Sequence, residues 1–223
     1  MNTFLDKFLR WMRFKKLARH IPRDSVVCDL GCGKDVYLLK RLEETIKLGV
    51  GIDRDVRESS GPRIRTKKIG ISNKIPLENE SCDIVLMAAF LEHLNNPQEV
   101  LKESFRILKK NGRLIITTPT PLSKTVLETL AALRLVDKET IKDHKNYFYP
   151  KDVKKMLLSA GFNKDGIKSR FFEFFLNSLI IAEKSREVPI NYAPRTFKTG
   201  KKIRWWRDGF KSFYAIIKYR IVN

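Results

Sequence analysis

A carboxylate and two glycines stand close together near the amino terminus, at Asp29, Gly31 and Gly33. The apolar stretch Val26–Leu30 predicts a short buried strand, and the glycines let the chain turn sharply and let a ligand approach the backbone. Strand–turn–helix units of this kind bind nucleotides in α/β folds. A pyrophosphate in this turn would meet the Asp29 carboxylate at close range, which is unfavourable. A ligand with an ammonium and a sulfonium is favoured instead, and S-adenosylmethionine is such a ligand.

A second acid, Asp53, follows another apolar stretch, Leu48–Ile52, which we also predict to be a strand. The segment Ala88–Phe90 ends a third strong strand pattern, Cys82–Ala88. Because ligands of parallel α/β sheets bind at the carboxyl ends of the strands, these positions should converge with Asp29. The alternative for Asp53 is a simple cap at the end of its strand.

The surrounding pattern alternates strands with helices. It predicts an α/β fold, namely a Rossmann-like, doubly wound and mainly parallel seven-stranded sheet with a closing antiparallel hairpin. Basic amphipathic helices are expected at both termini. The predicted helices cover residues 4–19, Lys34–Ile46, a segment from Pro97, Thr120–Val136 and Pro150–Ala160. The remaining predicted strands are Ile64–Ile69, Arg113–Thr118 after a turn at Asn111-Gly112, Phe162–Phe172 and Phe174–Ala182, with a loop or frayed helix over Arg54–Arg65.

Charge is concentrated at the two ends of the 223-residue chain, which has a net charge of +20. Residues 1–23 hold seven Lys and Arg against one Asp, and residues 184–223 hold eleven against two acids, so the ends account for +15. We therefore divide the chain into a basic helix (1–23), one globular domain (24–184) and a basic aromatic tail (185–223).

Cysteine usage and hydropathy limit the compartment and the class of protein. The three cysteines form no C-x-x-C pair and have no histidine cluster beside them, so we predict neither a disulfide framework nor a metal site. Neither a signal peptide nor a membrane-spanning segment is predicted. A cytoplasmic protein is expected, with attachment to the cytoplasmic face of a membrane as the alternative.

Six pieces of sequence between about Val26 and Lys184 resemble class I S-adenosylmethionine-dependent methyltransferases, most closely the broad small-molecule branch called type 11. Each piece alone is weak, whereas six in order at the family's spacing are specific. The pieces are Asp29–Gly33, Gly49–Asp53, Ile75–Val85, Leu91–Leu94, Leu108–Leu114 and Ala160–Phe162.

The resemblance implies roles for individual residues. Asp29 and the glycines would hold the methionine part of S-adenosylmethionine, and Asp53 would accept hydrogen bonds from both ribose hydroxyls, as in dinucleotide sites. The complete implied cofactor site is Asp29, Gly31, Cys32, Gly33, Asp53, Arg54, Ile71, Ser72, Asn73, Ala88, Ala89 and Phe90.

Two departures from the family pattern affect this site. Asp35 stands at the third glycine position, and the segment Gly70–Asn73 lacks the acid with which many relatives bind adenine. The adenine contacts are therefore expected from the backbone or from Asn73. A dehydrogenase is disfavoured, because its G-x-G-x-x-G pattern would need a glycine at Val36.

Three residues are candidates for catalysis: His93, Asp143 and His144. A histidine near the acceptor could act as a general base because it titrates near neutrality. The simpler interpretations are a loop-orienting role for His93 and ordinary loop polarity for the other two, and we interpret Glu92 as structural. A base is needed only if the acceptor must lose its proton early, since alignment alone supplies much of the rate of methyl transfer.

The tail resembles a different family, the family 2 glycosyltransferases that use polyprenyl-phosphate acceptors. The matching pieces are Glu187–Thr196, Gly200–Lys202, Trp206–Phe210 and Ile217–Arg220, which include none of that family's catalytic motifs. The resemblance implies an attachment device, in which Trp206, Phe210, Phe213 and Ile217 form one stripe of a helix on an anionic membrane. A helix packed on its own core is the alternative.

Together these features predict methyl transfer from S-adenosylmethionine to a small-molecule or lipid-linked acceptor, such as a glycan intermediate at the membrane face. The two basic termini would hold the membrane surface. One alternative is an RNA methyltransferase whose arms bind phosphates, with nucleic acid as the less favoured partner. Another is a non-catalytic, cofactor-binding partner of a glycosyltransferase. The sequence leaves the oligomeric state open.

Overall fold

Eight strands form one sheet in the computed structural model, which describes residues 4–72, 74–132, 145–173 and 175–185. Their order across the sheet is β3-β4-β2-β1-β5-β6-β8-β7. Neighbours among β4, β2, β1, β5 and β6 pair in parallel, while β3–β4, β6–β8 and β7–β8 pair antiparallel. The predicted doubly wound sheet with a closing hairpin is confirmed. The strands are β1 (Val26–Leu30), β2 (Leu48–Asp53), β3 (Ser59–Ser60), β4 (Ile64–Lys68), β5 (Cys82–Ala88), β6 (Leu108–Pro119), β7 (Ile167–Phe172) and β8 (Asn177–Glu183).

Helices cover both faces of this sheet and bury a separate apolar cluster on each. Alternate residues of a strand point to opposite faces, so Cys28 and Leu30 of β1 join one cluster and Val27 joins the other. The first cluster packs against α3 and α5, and the second against α1 and α2. The helices are α1 (Phe4–Ala18), α2 (Tyr37–Leu42), α3 (Pro97–Ile107), α4 (Pro121–Ala132) and α5 (Pro150–Ser159), and short 3-10 turns cover Leu91–His93 and Lys164–Gly166.

The order of the strands reverses between β1 and β5, which creates a crevice at their carboxyl ends. Asp29 is paired in register on both sides of β1, with Gly51 of β2 and with Leu86 of β5. On the next strand, Thr117 lies opposite Ala88. The carboxyl ends of β2, β1, β5 and β6 therefore form one continuous edge, which we call the carboxyl edge.

Two elements in the first half of the domain differ from the prediction. The sheet has eight strands rather than seven, because Ser59–Ser60 in the predicted loop adds a two-residue antiparallel strand beside β4. A strand this short has no detectable alternation of apolar residues. The helix predicted over Lys34–Ile46 is confined to Tyr37–Leu42, since Val36 has a left-handed φ of 53° and turns follow Leu42.

The second half of the domain holds two further differences. The predicted turn at Asn111-Gly112 lies inside β6, at an irregularity where the register with β5 shifts and Asn111 has a φ of 63°. Strand β7 begins at Ile167 rather than Phe162, because Lys164–Gly166 form a 3-10 turn. Helix α4 is described from Pro121 to Ala132, and the end predicted at Val136 lies outside the described residues.

Candidate cofactor and acceptor site

Asp29 is the fourth residue of β1, and its side chain is only 1% exposed. Neither carboxylate oxygen has a hydrogen-bond partner in the described part of the chain. Burial, together with the negative charge of Asp53, raises the pKa of the Asp29 carboxyl from 3.8 to about 7, and Arg10 opposes this rise. A buried carboxylate without a partner is costly, and such groups are common at binding sites. The geometry calls for a cationic ligand.

The Asp29 side chain lines a small cavity of about 120 Å³ at the carboxyl edge. The turn after β1, the end of β5 and the amino-terminal helix α1 all contribute to its walls. The lining residues are Arg10, Arg13, Asp29, Gly31, Cys32, Gly33, Tyr37, Leu38 and Ala88. Five of these residues were predicted to bind the cofactor, so the structure brings them together as expected.

Asp53 ends the neighbouring strand β2, and the glycine turn after β1 holds its side chain. The Gly33 N–H donates a hydrogen bond to one of its carboxylate oxygens (Oδ2, 2.9 Å), and the Asp55 N–H donates to the other (Oδ1, 2.9 Å). The Gly31 N–H also donates to the Ile52 carbonyl at 2.9 Å, which ties the turn to β2. A carboxylate can accept about four hydrogen bonds, so Asp53 can still receive two hydroxyl donors.

The two glycines of the turn serve different purposes. Both have left-handed φ values, 76° at Gly31 and 68° at Gly33, which disfavour other residues. A Cβ at Gly31 would lie 2.2 Å from Cδ2 of the Phe90 ring, so this glycine lets Phe90 close over the turn. A Cβ at Gly33 would meet open space, which leaves room for a ligand against the backbone. The unpaired carboxylate of Asp29, the oriented carboxylate of Asp53 and the open space at Gly33 together fit S-adenosylmethionine.

Other predicted cofactor residues have structural roles or lie at the margin. Cys32 is buried against Gly51, and burial raises the pKa of its thiol well above the usual range, so it packs rather than reacts. Arg54 is exposed and pairs with Asp55 at 3.1 Å. Ile71 is half-buried against the core, and Ser72 is exposed. Ala89 has a φ of 54° and donates its N–H to the Thr117 carbonyl at 2.9 Å.

Of the three catalytic candidates, only His93 is described. It ends the 3-10 turn that follows β5, and its N–H donates to the Phe90 carbonyl at 3.1 Å. Asp143 and His144 lie outside the described residues, as does Asn73. Their predicted roles therefore stay predictions.

Helix α1 supplies residues that we did not predict in this site. Leu17 anchors the helix in the core with 1% exposure. Arg10 places its guanidinium 4.2 Å from the centre of the Tyr37 ring and 3.5 Å from Asp35 Oδ2. The sequence signal that could have placed Arg10 and Arg13 together is their spacing, since residues three apart share one face of a helix. Their charge suggested a surface arm, whereas the helix packs on the domain.

Glu92 is fully buried beyond the end of β5, and we had interpreted it as structural. Its main chain supports that interpretation, because the carbonyl accepts the N–H groups of Lys145 (3.0 Å) and Asn146 (3.1 Å). Its side chain does more. The Thr118 hydroxyl donates to Oε2 at 3.1 Å, while Oε1 has no partner among the described residues. Burial raises the pKa of this carboxyl to about 7.

The described residues contain neither a metal-binding cluster nor a membrane-spanning helix. No group of three or more His, Cys, Asp and Glu in those residues is arranged to hold a metal ion. None of the described helices is both long and apolar enough to cross a membrane.

Comparison with protein families identifies the domain. A family model described as "Methyltransferase domain" matches residues 2–165, which is most of the chain. The chain belongs to this methyltransferase family. The predicted methyltransferase fold, with the S-adenosylmethionine cofactor that accompanies it, is confirmed at the level of the family.

Curated relatives of this methyltransferase include tRNA U34 carboxymethyltransferases. The protein from Helicobacter pylori (strain HPAG1) is 28% identical over 157 residues, which cover 65% of this chain and 57% of that protein. The protein from Desulfotalea psychrophila is 26% identical over 118 residues, covering 48% and 37% respectively. The chain thus spans little more than half the length of the curated relatives it matches.

Solved methyltransferases share the fold. One is from a complex between the Haloferax volcanii Trm112 methyltransferase activator and a methyltransferase, with a TM-score of 0.60 and 16% identity over 83% of this chain and 100% of that chain. Another is an S-adenosylmethionine-dependent methyltransferase of Methanosarcina mazei, with a TM-score of 0.56 and 19% identity over 77% of this chain and 98% of that one. At these identities the likeness shows the fold alone.

Proposed function

We propose that this protein transfers a methyl group from S-adenosylmethionine to an acceptor bound beside the cofactor. The observation that carries the proposal is Asp29, a 1% exposed carboxyl with no hydrogen-bond partner among the described residues, in a cavity at the end of β1. Its environment suits a cation and rejects a phosphate. Membership of the methyltransferase family supports the same cofactor.

The role of the chain's own residues is to bind the cofactor and to orient it toward the acceptor. When bound, S-adenosylmethionine supplies an electrophilic methyl group on a sulfonium centre. Asp29 would hold the ammonium of the methionine part, and Asp53, oriented by the Gly33 and Asp55 N–H groups, would accept the ribose hydroxyls. Phe90 packs on Gly31, and α1 lines the cavity from another side, so both limit the access of water. Rate enhancement then comes chiefly from proximity and alignment of the acceptor.

RNA is the acceptor that the relatives favour. Matching curated proteins include tRNA U34 carboxymethyltransferases, although the match spans only 57% of the Helicobacter protein. The net charge of +20 also suits a polyanion, because neutralised phosphates release counterions and strengthen binding. These two observations support RNA over the small-molecule acceptor that we predicted first.

A lipid-linked glycan is the second candidate. It is supported by the resemblance of residues 187–220 to the tail of polyprenyl-phosphate glycosyltransferases, a segment that lies outside the described residues. On this hypothesis the tail holds the enzyme at an anionic membrane, where each basic residue contributes roughly 1 kcal/mol.

The test has two stages and uses the full chain. Calorimetry with S-adenosylmethionine should show binding, and the absence of binding would reject the proposal. Methyl-labelled cofactor is then incubated with total RNA and, separately, with lipid-linked glycan extracts. Label that ribonuclease releases supports RNA, whereas label that remains in the organic extract supports the glycan.

A tail variant separates the two acceptors further. A chain ending at Lys184 should lose flotation with anionic vesicles if the tail is a membrane device. Cofactor binding without labelling of either extract would contradict both proposed acceptors and would favour a small-molecule acceptor or a non-catalytic partner.

A further inference from the structure

A second group of polar side chains, of which Glu92 is fully buried and Arg13 and Glu173 are half-buried, lies along the carboxyl edge, beyond the residues that the cofactor needs. It consists of Arg13 of α1, Glu92 after β5 and Glu173 in the turn between β7 and β8. We call these three residues the edge cluster. Both carboxyl groups feel the positive charge of Arg13, which lowers their pKa against the opposite effect of burial.

Each member of the edge cluster has a buried polar atom that is not satisfied. The atoms are Nε of Arg13, Oε1 of Glu92 and Oε1 of Glu173, none of which has a hydrogen-bond partner within the described ranges. Buried polar atoms are paired in the great majority of cases, so three unpaired atoms in one group require an explanation. The charge of Arg13 acts on both carboxyl groups, yet its Nε and the two Oε1 atoms form no hydrogen bond with one another.

The second oxygen of each carboxylate is fixed. The Thr118 hydroxyl donates to Oε2 of Glu92 at 3.1 Å, and the Asn177 amide donates to Oε2 of Glu173. Thr118 and Asn177 lie near the carboxyl edge, on β6 and β8, and the neighbouring pairs Thr118–Ser178 and Pro119–Asn177 are in register. The sheet therefore holds both carboxylates in place while it leaves their other oxygens unpaired.

The edge cluster adjoins the cofactor cavity. Arg13 lines that cavity together with Asp29 and Ala88, and it also acts on Glu92 and Glu173. Ala88 ends β5 and lies opposite Thr117, one residue before the Thr118 that holds Glu92. A molecule bound against the edge cluster would thus lie beside the donor, on the β5–β6–β8 side of the crevice.

We propose that Arg13, Glu92 and Glu173 form the acceptor subsite and that it takes an uncharged or cationic group bearing O–H or N–H donors. This inference rests on the proposed methyl transfer. When both carboxyl groups are ionised, which for Glu92 requires a pH above its pKa of about 7, they outnumber the one guanidinium, and each free Oε1 can accept a hydrogen bond. A phosphate or carboxylate at this position would be repelled. A nucleoside of RNA and a sugar hydroxyl of a glycan both offer the required donors.

The test measures binding of small probes to the full-length protein by ligand-observed NMR, with and without S-adenosylmethionine. The neutral probes are uridine and methyl α-glucoside, and the anionic probe is inorganic phosphate. The variants are Glu92→Gln and Glu173→Gln, which keep side-chain size. The matched control is Glu183→Gln, a half-exposed glutamate that pairs with Arg113 at 3.3 Å.

We expect one neutral probe to bind and to lose about tenfold in affinity in either test variant, because a charge-assisted hydrogen bond is removed. The control should bind like the wild type, and cofactor affinity should be unchanged in all three variants. The identity of the probe distinguishes an RNA source from a glycan source.

Three outcomes would overturn the subsite. They are the binding of neither neutral probe, an equal loss in Glu183→Gln, and displacement of the neutral probe by phosphate at similar concentration. Thermal unfolding of each variant checks the fold, and Glu173→Gln decides if Glu92→Gln does not fold. Failure of the cofactor to bind would reject the proposed methyl transfer separately, since the probes are also tested without it.

Discussion

The carboxyl edge has two halves, which are built from the sequence in different ways. The donor half uses Asp29, Gly31 and Gly33 from one turn, with Asp53 on the adjacent strand. The acceptor half uses Arg13, Glu92 and Glu173, which come from the amino-terminal helix, the turn after β5 and the final hairpin. A site made from one local turn leaves a recognisable spacing, whereas one assembled from distant segments does not.

The two halves also differ in how many of their polar atoms have hydrogen-bond partners in the described part of the chain. In the donor half Asp53 is held by two backbone N–H groups, and only Asp29 lacks partners among the described residues. In the acceptor half every member of the edge cluster has an unpaired atom within the described ranges. In the donor half, Asp53 is therefore oriented before a ligand binds. In the acceptor half, each residue would need a bound molecule to pair its remaining polar atom.

The largest effect on the donor half should come from Asp53→Ala. Losing the acceptor of two ribose hydroxyls should weaken S-adenosylmethionine binding by at least about 100-fold, since hydrogen bonds to charged groups contribute about 1.5–3 kcal/mol each. Calorimetry measures the change. Asp55→Ala is the matched control, because Asp55 is exposed and bonds the same carboxylate only through its backbone. Equal losses in both variants would contradict the role of Asp53.

The packing of Phe90 on the donor turn can be tested at Gly31. Gly31→Ala should lower the free energy of unfolding by about 1–3 kcal/mol, because the new methyl group would overlap the Phe90 ring at a left-handed φ. Gly70→Ala serves as the control, since a Cβ there meets open space and Gly70 is exposed. Chemical denaturation gives both values. A Gly31 variant as stable as the Gly70 variant would show that Phe90 can move away freely.

A pH series should report on Asp29. Its carboxyl has a pKa of about 7 in the free protein, so the affinity for a cationic cofactor should weaken by up to about tenfold per pH unit as the pH falls below 7. Asp29→Asn should bind weakly and without this dependence. Calorimetry from pH 5 to pH 8 separates the two proteins. A wild-type affinity that stays flat over that range would argue against a carboxylate–cation contact.

The same carboxyl should affect stability in the opposite direction. Because its folded-state pKa lies above the value of 3.8 expected when unfolded, the free protein binds the proton more tightly, and its stability falls as pH rises from about 4 to 7. Asp29→Asn should therefore be more stable than the wild type at pH 8. Denaturant titrations at pH 5 and pH 8 measure the difference, which should be clearly smaller at pH 5 and should vanish only near pH 4.

The smallest effect should come from Arg10→Met, which acts where α1 covers the donor half. Removing the stack on Tyr37 and the exposed pair with Asp35 should cost less than about 1 kcal/mol of stability. Denaturant unfolding gives the value, with Lys7→Met on an exposed part of the same helix as the control. A loss several-fold larger would show that Arg10 is essential for seating α1.

The sequence predicted the donor half well because its physics is local. The period-two strand pattern, the acid at the strand end and the glycines in the turn are all readable without tertiary contacts, and the structure brings Asp29, Gly31, Gly33 and Ala88 to one cavity. The missed elements are those for which local signals are weak. Ser59–Ser60 is too short to show alternation, and the left-handed Val36 ends a helical pattern that its neighbours would continue.

Only the tertiary structure decided the role of α1 and of Glu92. By sequence, Arg10 and Arg13 belong to a solvated basic helix and Glu92 to an ordinary turn. Burial of Leu17 brings the two arginines to the cavity, and packing beneath the sheet edge leaves one Glu92 oxygen unpaired in the described part of the chain. The sequence alone determines which residues carry a charge and of which sign. Desolvation, and with it the chemistry available to a charge, depends on distant segments that only the folded chain brings together.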